Sequence, residues 1–241
     1  MSCNLRLNNG RSWSNERLKF ISKSLPEFNN ALNCSGHLDL DKQGSYYQSY
    51  FKVEKYTISS FENDSTYSNP KKLFLLNLDE DCEKVSEEHY QNYDLIFNHT
   101  VLEHVMNPYQ AFANFENLLA PNGILICVVP FIYKFHFSNG DFGDYWRFTP
   151  HTMELLHKQF NLSVKFLEVG PHNSYEKYII SVATRGSNVP NLEFDKKQFS
   201  EWNESLGNNS LSQLIQMVFQ KTLDSVKVRI VHRINKRKIN P

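Results

Sequence analysis

Residues Tyr93–Phe131 read YDLIFNHTVLEHVMNPYQAFANFENLLAPNGILICVVPF, and this stretch decides the fold. Tyr93 to Phe97 is a short apolar run of strand length, rich in aromatic and branched side chains. Asn98 to Glu103 then places polar groups at the carboxyl end of that strand. Pro108 suits the first turn of a helix, where its missing N–H costs nothing. Ala111, Phe112, Phe115, Leu118 and Leu119 follow at spacings that give a helix one apolar face. Pro121-Asn122-Gly123 is a stop and a turn. Ile124 to Val129 is a continuous apolar run, as expected of a strand covered on both faces. Strand, crossover helix and second buried strand make a βαβ unit, which is right-handed in nearly all proteins.

The rest of the chain extends this unit in both directions. Before it, about Glu27 to Leu32 leads into a first strand ending at Asn33, Lys55–Ser60 is a second, and Lys72–Leu76 a third. Between the first two lies Gly44–Phe51, whose three Tyr and one Phe can pack one helical face. After the unit, a polar, aromatic loop reaches Pro150, and Thr149-Pro150 signals a helix over His151–Phe160 with Met153, Leu155, Leu156 and Phe160 as its apolar positions. Leu162–Val169 and Tyr178–Thr184 close the pattern as two further strands. Strands alternating with helices predict an α/β fold: a doubly wound, mostly parallel seven-stranded sheet with helices on both faces. Ligands are then expected at the carboxyl ends of its strands.

Flanking segments differ in composition. Residues 1–24 are polar, with Trp13, Leu18, Phe20 and Ile21 spaced for a short covering helix. Residues 25–185 form the domain, 186–209 read as a linker, and 210–241 as a C-terminal amphipathic helix whose last third carries Lys227, Arg229, Arg233, Lys236, Arg237 and Lys238. Such a helix, over 211–238, packs on its own domain, forms a homodimer, docks on a protein partner or lies peripherally on an anionic membrane. Lys+Arg and Asp+Glu both total 26, and no recognition motif accompanies the basic residues, which argues against nucleic acid. The four cysteines have no metal-ligand spacing, so no metal is expected, and Cys127 inside a buried strand points to a reducing compartment. With no signal-peptide core and no apolar run of membrane-spanning length, a cytoplasmic location is expected, peripheral to a membrane if the tail attaches there.

The Tyr93–Phe131 stretch resembles the middle of class I S-adenosylmethionine-dependent methyltransferases, of the type 11 kind. Val101-Leu102-Glu103-His104 and Ala120-Pro121-Asn122-Gly123 match that family's fourth-strand and turn motifs. The resemblance implies S-adenosylmethionine as cofactor and methyl transfer as the reaction. It also implies a glycine-rich turn after the first strand, an acid ending the second, and polar residues after the third and fourth. Here the first becomes Asn33-Cys34-Ser35-Gly36, a degenerate version, and the second Ser59-Ser60, with Glu62 just beyond. Glu62, Asp39 or Asp41 is available to stand in for the missing acid. Asn77 and Asp79 follow the third strand; Asn98, His99 and Thr100 follow the fourth.

His136 to Pro150 resembles an "H…P.DYWRFT" loop found after the fifth strand in a subset of these methyltransferases, several of them associated with glycan biosynthesis. That implies a small-molecule or glycan-like acceptor methylated on a hydroxyl or amine. In-line displacement at a sulfonium gains most from positioning, and a hydroxyl or amine acceptor gains from a base near neutral pKa. His136 and His104 are the candidate bases, and Asp144 is a third candidate catalytic residue on the acceptor side; Tyr145 and Arg147 are candidate acceptor contacts. Two alternatives remain for the loop, since the Asp144–Arg147 pair can equally fix it and Trp146 and Phe148 can plug the sheet edge. For the protein as a whole the alternative is a non-catalytic methyltransferase-like module that scaffolds a partner enzyme.

Overall fold

A computed structural model of the chain describes residues 10–35, 39–41, 43–61, 73–82, 87–136, 143–171 and 176–186. Gly36, Glu62, most of the expected linker and the expected C-terminal helix lie outside the described residues. Helix α1 spans Gly10–Ser22. Strands β1 Phe28–Asn33, β2 Val53–Ser60, β3 Leu73–Leu75 and β4 Tyr93–His99 follow. Helix α2 is Pro108–Leu118, β5 Leu119–Ile132, α3 Pro150–Gln159, β6 Leu162–Gly170 and β7 Lys177–Arg185.

The sheet has seven strands in the order β3-β2-β1-β4-β5-β7-β6. All neighbours pair in parallel except β7, which is antiparallel to both β5 and β6. The strand order reverses between β1 and β4, so the carboxyl ends of those two strands flank the topological switch point where such sheets bind ligands.

Each helix is anchored by local chemistry. Asn107 caps α2 by accepting from the Gln110 N–H at 3.3 Å, with Pro108 in the first turn. Thr149 caps α3 in the same way, accepting from Thr152 N at 3.1 Å ahead of Pro150. On α2, Ala111, Phe112, Phe115 and Leu118 are fully buried, and each aromatic contributes about 1.5–3 kcal/mol by burial. The opposite face of the sheet is covered by α1 through Leu18 and Ile21, and by Tyr47, Tyr50 and Phe51, which join Leu95, Phe97, Ile126 and Val128 in one cluster.

Three expectations need correction. The aromatic stretch after β1 forms only a 3-10 turn, Tyr47–Tyr50, and among the described residues the β1–β2 crossover contains no α-helix. Helix α2 stops at Leu118 and β5 begins at once; the expected Pro121–Gly123 turn is a strand irregularity, with Asn122 at φ 64° and a register shift opposite Tyr93–Leu95. On α3, Leu155 is exposed, and His157 takes the buried position in its place.

His157 gives a pH-dependent contribution to stability. Its Nδ1 donates to Met153 O at 2.6 Å and its Nε2 lies 3.4 Å from Ser181 Oγ. Burial holds its pKa down to about 4. The unfolded chain, with an ordinary imidazole near 6.5, therefore binds a proton in this window that the folded chain refuses. The neutral imidazole's contribution is complete above pH ~6.5 and is lost as pH falls toward 4, by up to roughly 3 kcal/mol. Urea unfolding at pH 7, 5.5 and 4 is expected to show a shallower loss for His157→Gln than for the wild-type chain; equal losses would contradict the assignment.

Candidate active site

At the carboxyl end of β4 the backbone departs from ordinary geometry. Thr100 sits at φ 55°, a conformation unfavourable for a β-branched residue, where strain of order 1–3 kcal/mol is commonly held at functional sites. Its N–H donates to Val128 O at 2.7 Å, which holds the turn to β5. From α1, Arg11 donates through an Nη to Thr100 Oγ1. Ser14 Oγ donates to Arg11 O at 2.9 Å, so His99 Nε2, 3.1 Å away, is the donor to Ser14. That tautomer leaves His99 Nδ1 to accept from the Thr100 hydroxyl at 3.3 Å. His99 is buried beneath α1 with the Tyr47 ring 5.2 Å away, so it organises the covering helix and does not open onto the strand ends.

Asn98, the preceding residue, is fully buried and donates from Nδ2 to Cys34 O at 3.1 Å. Its Oδ1 has no hydrogen-bond partner among the described residues, nor does Arg11 Nε. A buried carbonyl oxygen and a guanidinium N–H left open beside the switch point are groups that a polar ligand would satisfy.

The loop after β1 is held by side chains where a glycine-rich turn was the family's pattern. Asn33 Oδ1 accepts from Ser35 N at 2.7 Å, and Asn33 Nδ2 donates to Asp39 Oδ1 at 2.7 Å. Ser35 Oγ accepts from His99 N at 2.9 Å, tying the loop to β4. Asp39 also accepts from Tyr56 Oη at 2.7 Å and Gln48 N at 3.1 Å. Asp41 accepts from Gln43 N and Ser45 N at 2.7 and 2.8 Å, and from the Tyr50 hydroxyl. Burial pushes the Asp41 carboxyl up, but these bonds outweigh it and hold its pKa below the usual range. Both acids are thus engaged in building the loop, and neither presents a free carboxylate to replace the missing second-strand acid. Ser59, at the end of β2, is buried and bonded to the Cys34 thiol. Asn77 Oδ1 accepts from Asp79 N at 3.0 Å, and Asp79 in turn accepts from Asn107 N at 2.7 Å, which fixes the entry to α2.

The second half of the site lies one turn further along. Glu103 and His104 belong to the short 3-10 turn Leu102–His104. The segment 143–149 packs against it: the N–H groups of Tyr145 and Trp146 both donate to Glu103 O, at 2.8 and 3.2 Å, and Trp146 Nε1 donates to Val105 O at 2.9 Å. This packing brings His136 onto His104, their rings edge-on with centroids 4.9 Å apart. Asp144 Oδ2 accepts from His136 N at 2.7 Å and lies 3.3 Å from His136 Nδ1. Arg147 clamps the same carboxylate with two Nη groups, at 2.5 and 2.6 Å, and donates further to Tyr133 O and Lys134 O. Burial alone would raise the Asp144 pKa; the Arg147 and His136 contacts reverse that and hold it below the usual range.

Of the residues singled out in the sequence, the structure brings His104, His136 and Asp144 together. Arg147 is committed to Asp144 and to main-chain carbonyls, which is the loop-fixing alternative. Phe148 is buried as expected of a plug, whereas Trp146 and Tyr145 are more than two-fifths exposed and face outward from the loop. Two residues were missed. Arg11 lies in a polar segment with no pattern to single it out. Glu103 was visible within the Val101–His104 motif, yet nothing in the sequence said that it is 1% exposed. Burial pushes its carboxyl up to about 8, and burial first, then the neighbouring His136, pulls the His104 pKa down.

A family model described as a methyltransferase domain matches residues 57–127, which run from β2 through β5. No curated protein sequence matches the chain. Among solved structures, the N-methyltransferase NodS from Bradyrhizobium japonicum WM9, in complex with S-adenosyl-L-homocysteine, superposes with a TM-score of 0.52 at 13% identity, covering 75% of this chain and 90% of that one. An S-adenosylmethionine-dependent methyltransferase from Mesorhizobium loti gives 0.52 at 10% identity over 70% and 96%. The CurJ carbon methyltransferase gives 0.52 at 14% over 76% and 57%. The chain has the class I S-adenosylmethionine-dependent methyltransferase fold.

Proposed function

We propose that this protein transfers a methyl group from S-adenosylmethionine to a hydroxyl or amine of a small-molecule or glycan-like acceptor. The observation that carries the reading is the convergence of His104, His136 and Glu103 just beyond β4, next to the open polar atoms of Asn98 and Arg11 at the switch point. The fold, the matched methyltransferase domain and the S-adenosylhomocysteine bound to NodS support the same cofactor.

The residues present fit such a cofactor, on the strength of the unsatisfied Asn98 Oδ1 and Arg11 Nε at the strand ends. Arg11 would hold the cofactor's carboxylate, Asn98 and Thr100 its amino-acid portion, Ser35 and Ser59 the region beyond β1 and β2, and Asn77 and Asp79 the adenine edge. When bound, the cofactor supplies an electrophilic methyl on a sulfonium. The protein's own part is orientation and proton management. Tyr145 and Trp146, whose main-chain N–H groups bond Glu103 O next to His104, offer partly exposed ring area suited to packing against an acceptor. His136, with Asp144 at its Nδ1, takes the acceptor's proton, and His104 is the second candidate.

A specific observation also favours the rival reading of a non-catalytic module: where the family has glycines, Asn33, Ser35, Asp39 and Tyr56 carry side-chain hydrogen bonds to one another. Isothermal titration of the full chain with S-adenosylhomocysteine separates the two. A dissociation constant in the micromolar range is expected, weakened at least tenfold in Arg11→Ala; absence of heat at millimolar ligand would leave the module reading.

A further inference from the structure

We propose that Glu103, His104 and His136 hold a divalent transition-metal cation, which binds and acidifies a hydroxyl acceptor. The proposal deepens the methyltransferase reading and rests on it for its role, although the cation site itself does not; with the cation bound, His136 is a ligand, and the ion replaces the free imidazole as the group that activates the acceptor. It departs from the expectation of no metal, because the three ligands come from two segments that only the fold brings together.

One ligand atom from each of the three residues lies within 4.8 Å of the others. The donor set is two imidazoles and a carboxylate, which suits Zn²⁺, Fe²⁺, Co²⁺ or Mn²⁺ rather than the all-oxygen preference of Mg²⁺ or Ca²⁺. Ligands about 2.0–2.2 Å from such an ion stand roughly 3.4 Å from one another in tetrahedral geometry.

The surroundings prepare both histidines for this role. His104 Nδ1 faces Gly143 O, a carbonyl that only accepts, so the ring proton sits on Nδ1. Its Nε2 then carries a lone pair, 3.8 Å from Glu103 Oε1. The carboxylate of Asp144 lies 3.3 Å from His136 Nδ1 as a charge contact, and it accepts a hydrogen bond from the His136 main-chain N–H, which holds the residue in place beside His104. A carbonyl that accepts from the second ring nitrogen, as Gly143 O does for His104, is the usual arrangement behind a metal-bound imidazole. Two guanidinium groups face Glu103: Arg147 has its charge taken up by Asp144, and Arg11 donates to Thr100 Oγ1.

Glu103 supplies the independent observation. It is 1% exposed, and its Oε2 has no hydrogen-bond partner among the described residues. A buried carboxyl oxygen left open is costly, and a cation bound beside it removes that cost. Nothing in the acid–base role of the histidines calls for such a carboxylate.

With three protein ligands, coordination positions remain for the acceptor. A hydroxyl oxygen bound there has its pKa lowered and releases its proton to solvent. Its lone pair then forms the new C–O bond to the methyl carbon, the C–S bond breaks, and its electron pair stays on sulfur as a neutral thioether. This selects a hydroxyl over an amine, since a protonated amine neither coordinates nor reacts.

The test uses the full chain, stripped with chelator and titrated with Zn²⁺ by calorimetry and with Co²⁺ by visible absorption. One ion per chain is expected, with cobalt d–d bands that zinc displaces, and affinity reduced at least tenfold in both His136→Ala and Glu103→Gln. His136 is partly exposed, so its variant is expected to fold even where Glu103→Gln does not; circular dichroism checks each. No binding, or binding that persists in both folded variants, would overturn the site. S-adenosylhomocysteine is titrated in parallel. If cofactor binds and metal does not, the cation proposal fails and the methyltransferase reading stands; the reverse result removes the methyltransferase reading and keeps the site.

Discussion

His136→Ala is expected to lower kcat/KM for methyl transfer by about 10²–10⁴-fold while leaving the affinity for S-adenosylhomocysteine within twofold of the wild-type chain. The rate loss follows from position. His136 touches His104 and sits beside Asp144, beyond the strand ends where Asn98 and Arg11 lie. Removing its imidazole takes away the group that manages the acceptor's proton, whether as a base or through a bound cation, and leaves the β1–β4 switch point intact. The measurement is transfer of labelled methyl to whichever compound of a mixed hydroxyl and amine panel the wild-type chain methylates, with cofactor affinity by calorimetry. The two roles separate in the same assay. A base is replaced in part by high concentrations of imidazole alone, whereas a cation ligand gives a variant whose residual rate rises with added Zn²⁺ or Co²⁺. A rate within threefold of wild type would remove His136 from the chemistry.

The sequence carried the β4–α2–β5 unit because its signals are local. Pro108, the spacing of Phe112 and Phe115, and the unbroken Ile124–Val129 run each state an element without help from distant residues. The same locality explains what was misjudged. Tyr46, Tyr47, Tyr50 and Phe51 have spacing compatible with a helix, but the space beneath α1 selects a single turn whose rings pack on Phe97 and His99. Leu155 and His157 exchange expected places because hydropathy ranks leucine above histidine. Hydrogen bonding to Met153 O and proximity to Ser181 make the buried imidazole acceptable. The candidate site was legible as a set of residue types but not as a geometry. Glu103 and His104 are adjacent in sequence, while His136 is brought to them by Asp144, Arg147 and the packing of Tyr145 and Trp146 on Glu103 O. Arg11 lies 89 positions from Thr100, and its contact follows from how α1 crosses the strand ends, which no periodicity encodes. The segment after β1 was half legible: the missing glycines were plain, but the hydrogen bonds that tie Asn33 to Ser35 and Asp39 were not.

Asp144→Ala is expected to cost about 3 kcal/mol and to open residues 143–149 before the rest of the domain unfolds. The side chain of Asp144 is fully enclosed, and its two oxygens hold the Arg147 guanidinium and the His136 N–H. Removing one partner of a buried pair costs roughly 3–5 kcal/mol, because the other charge is left without compensation. The lower end applies here, since the Arg147 side chain keeps 20% of its surface in water and three carbonyl acceptors, on Tyr133, Lys134 and Trp146. Hydrogen exchange locates the effect: the Tyr145 and Trp146 amides, both bonded to Glu103 O, are expected to lose protection while those of α2 keep theirs. Urea unfolding gives the magnitude. The double variant Asp144→Ala/Arg147→Ala decides whether the pair is the cause, because with no guanidinium left behind its loss is expected to be smaller than the sum of the two single losses. Additive losses would mean that each residue acts separately. The same opening releases Gly143 O from His104 Nδ1 and the Asp144 carboxylate from His136, so activity and metal affinity are both expected to fall in Asp144→Ala and to recover partly in Asp144→Asn, which keeps one acceptor oxygen in place.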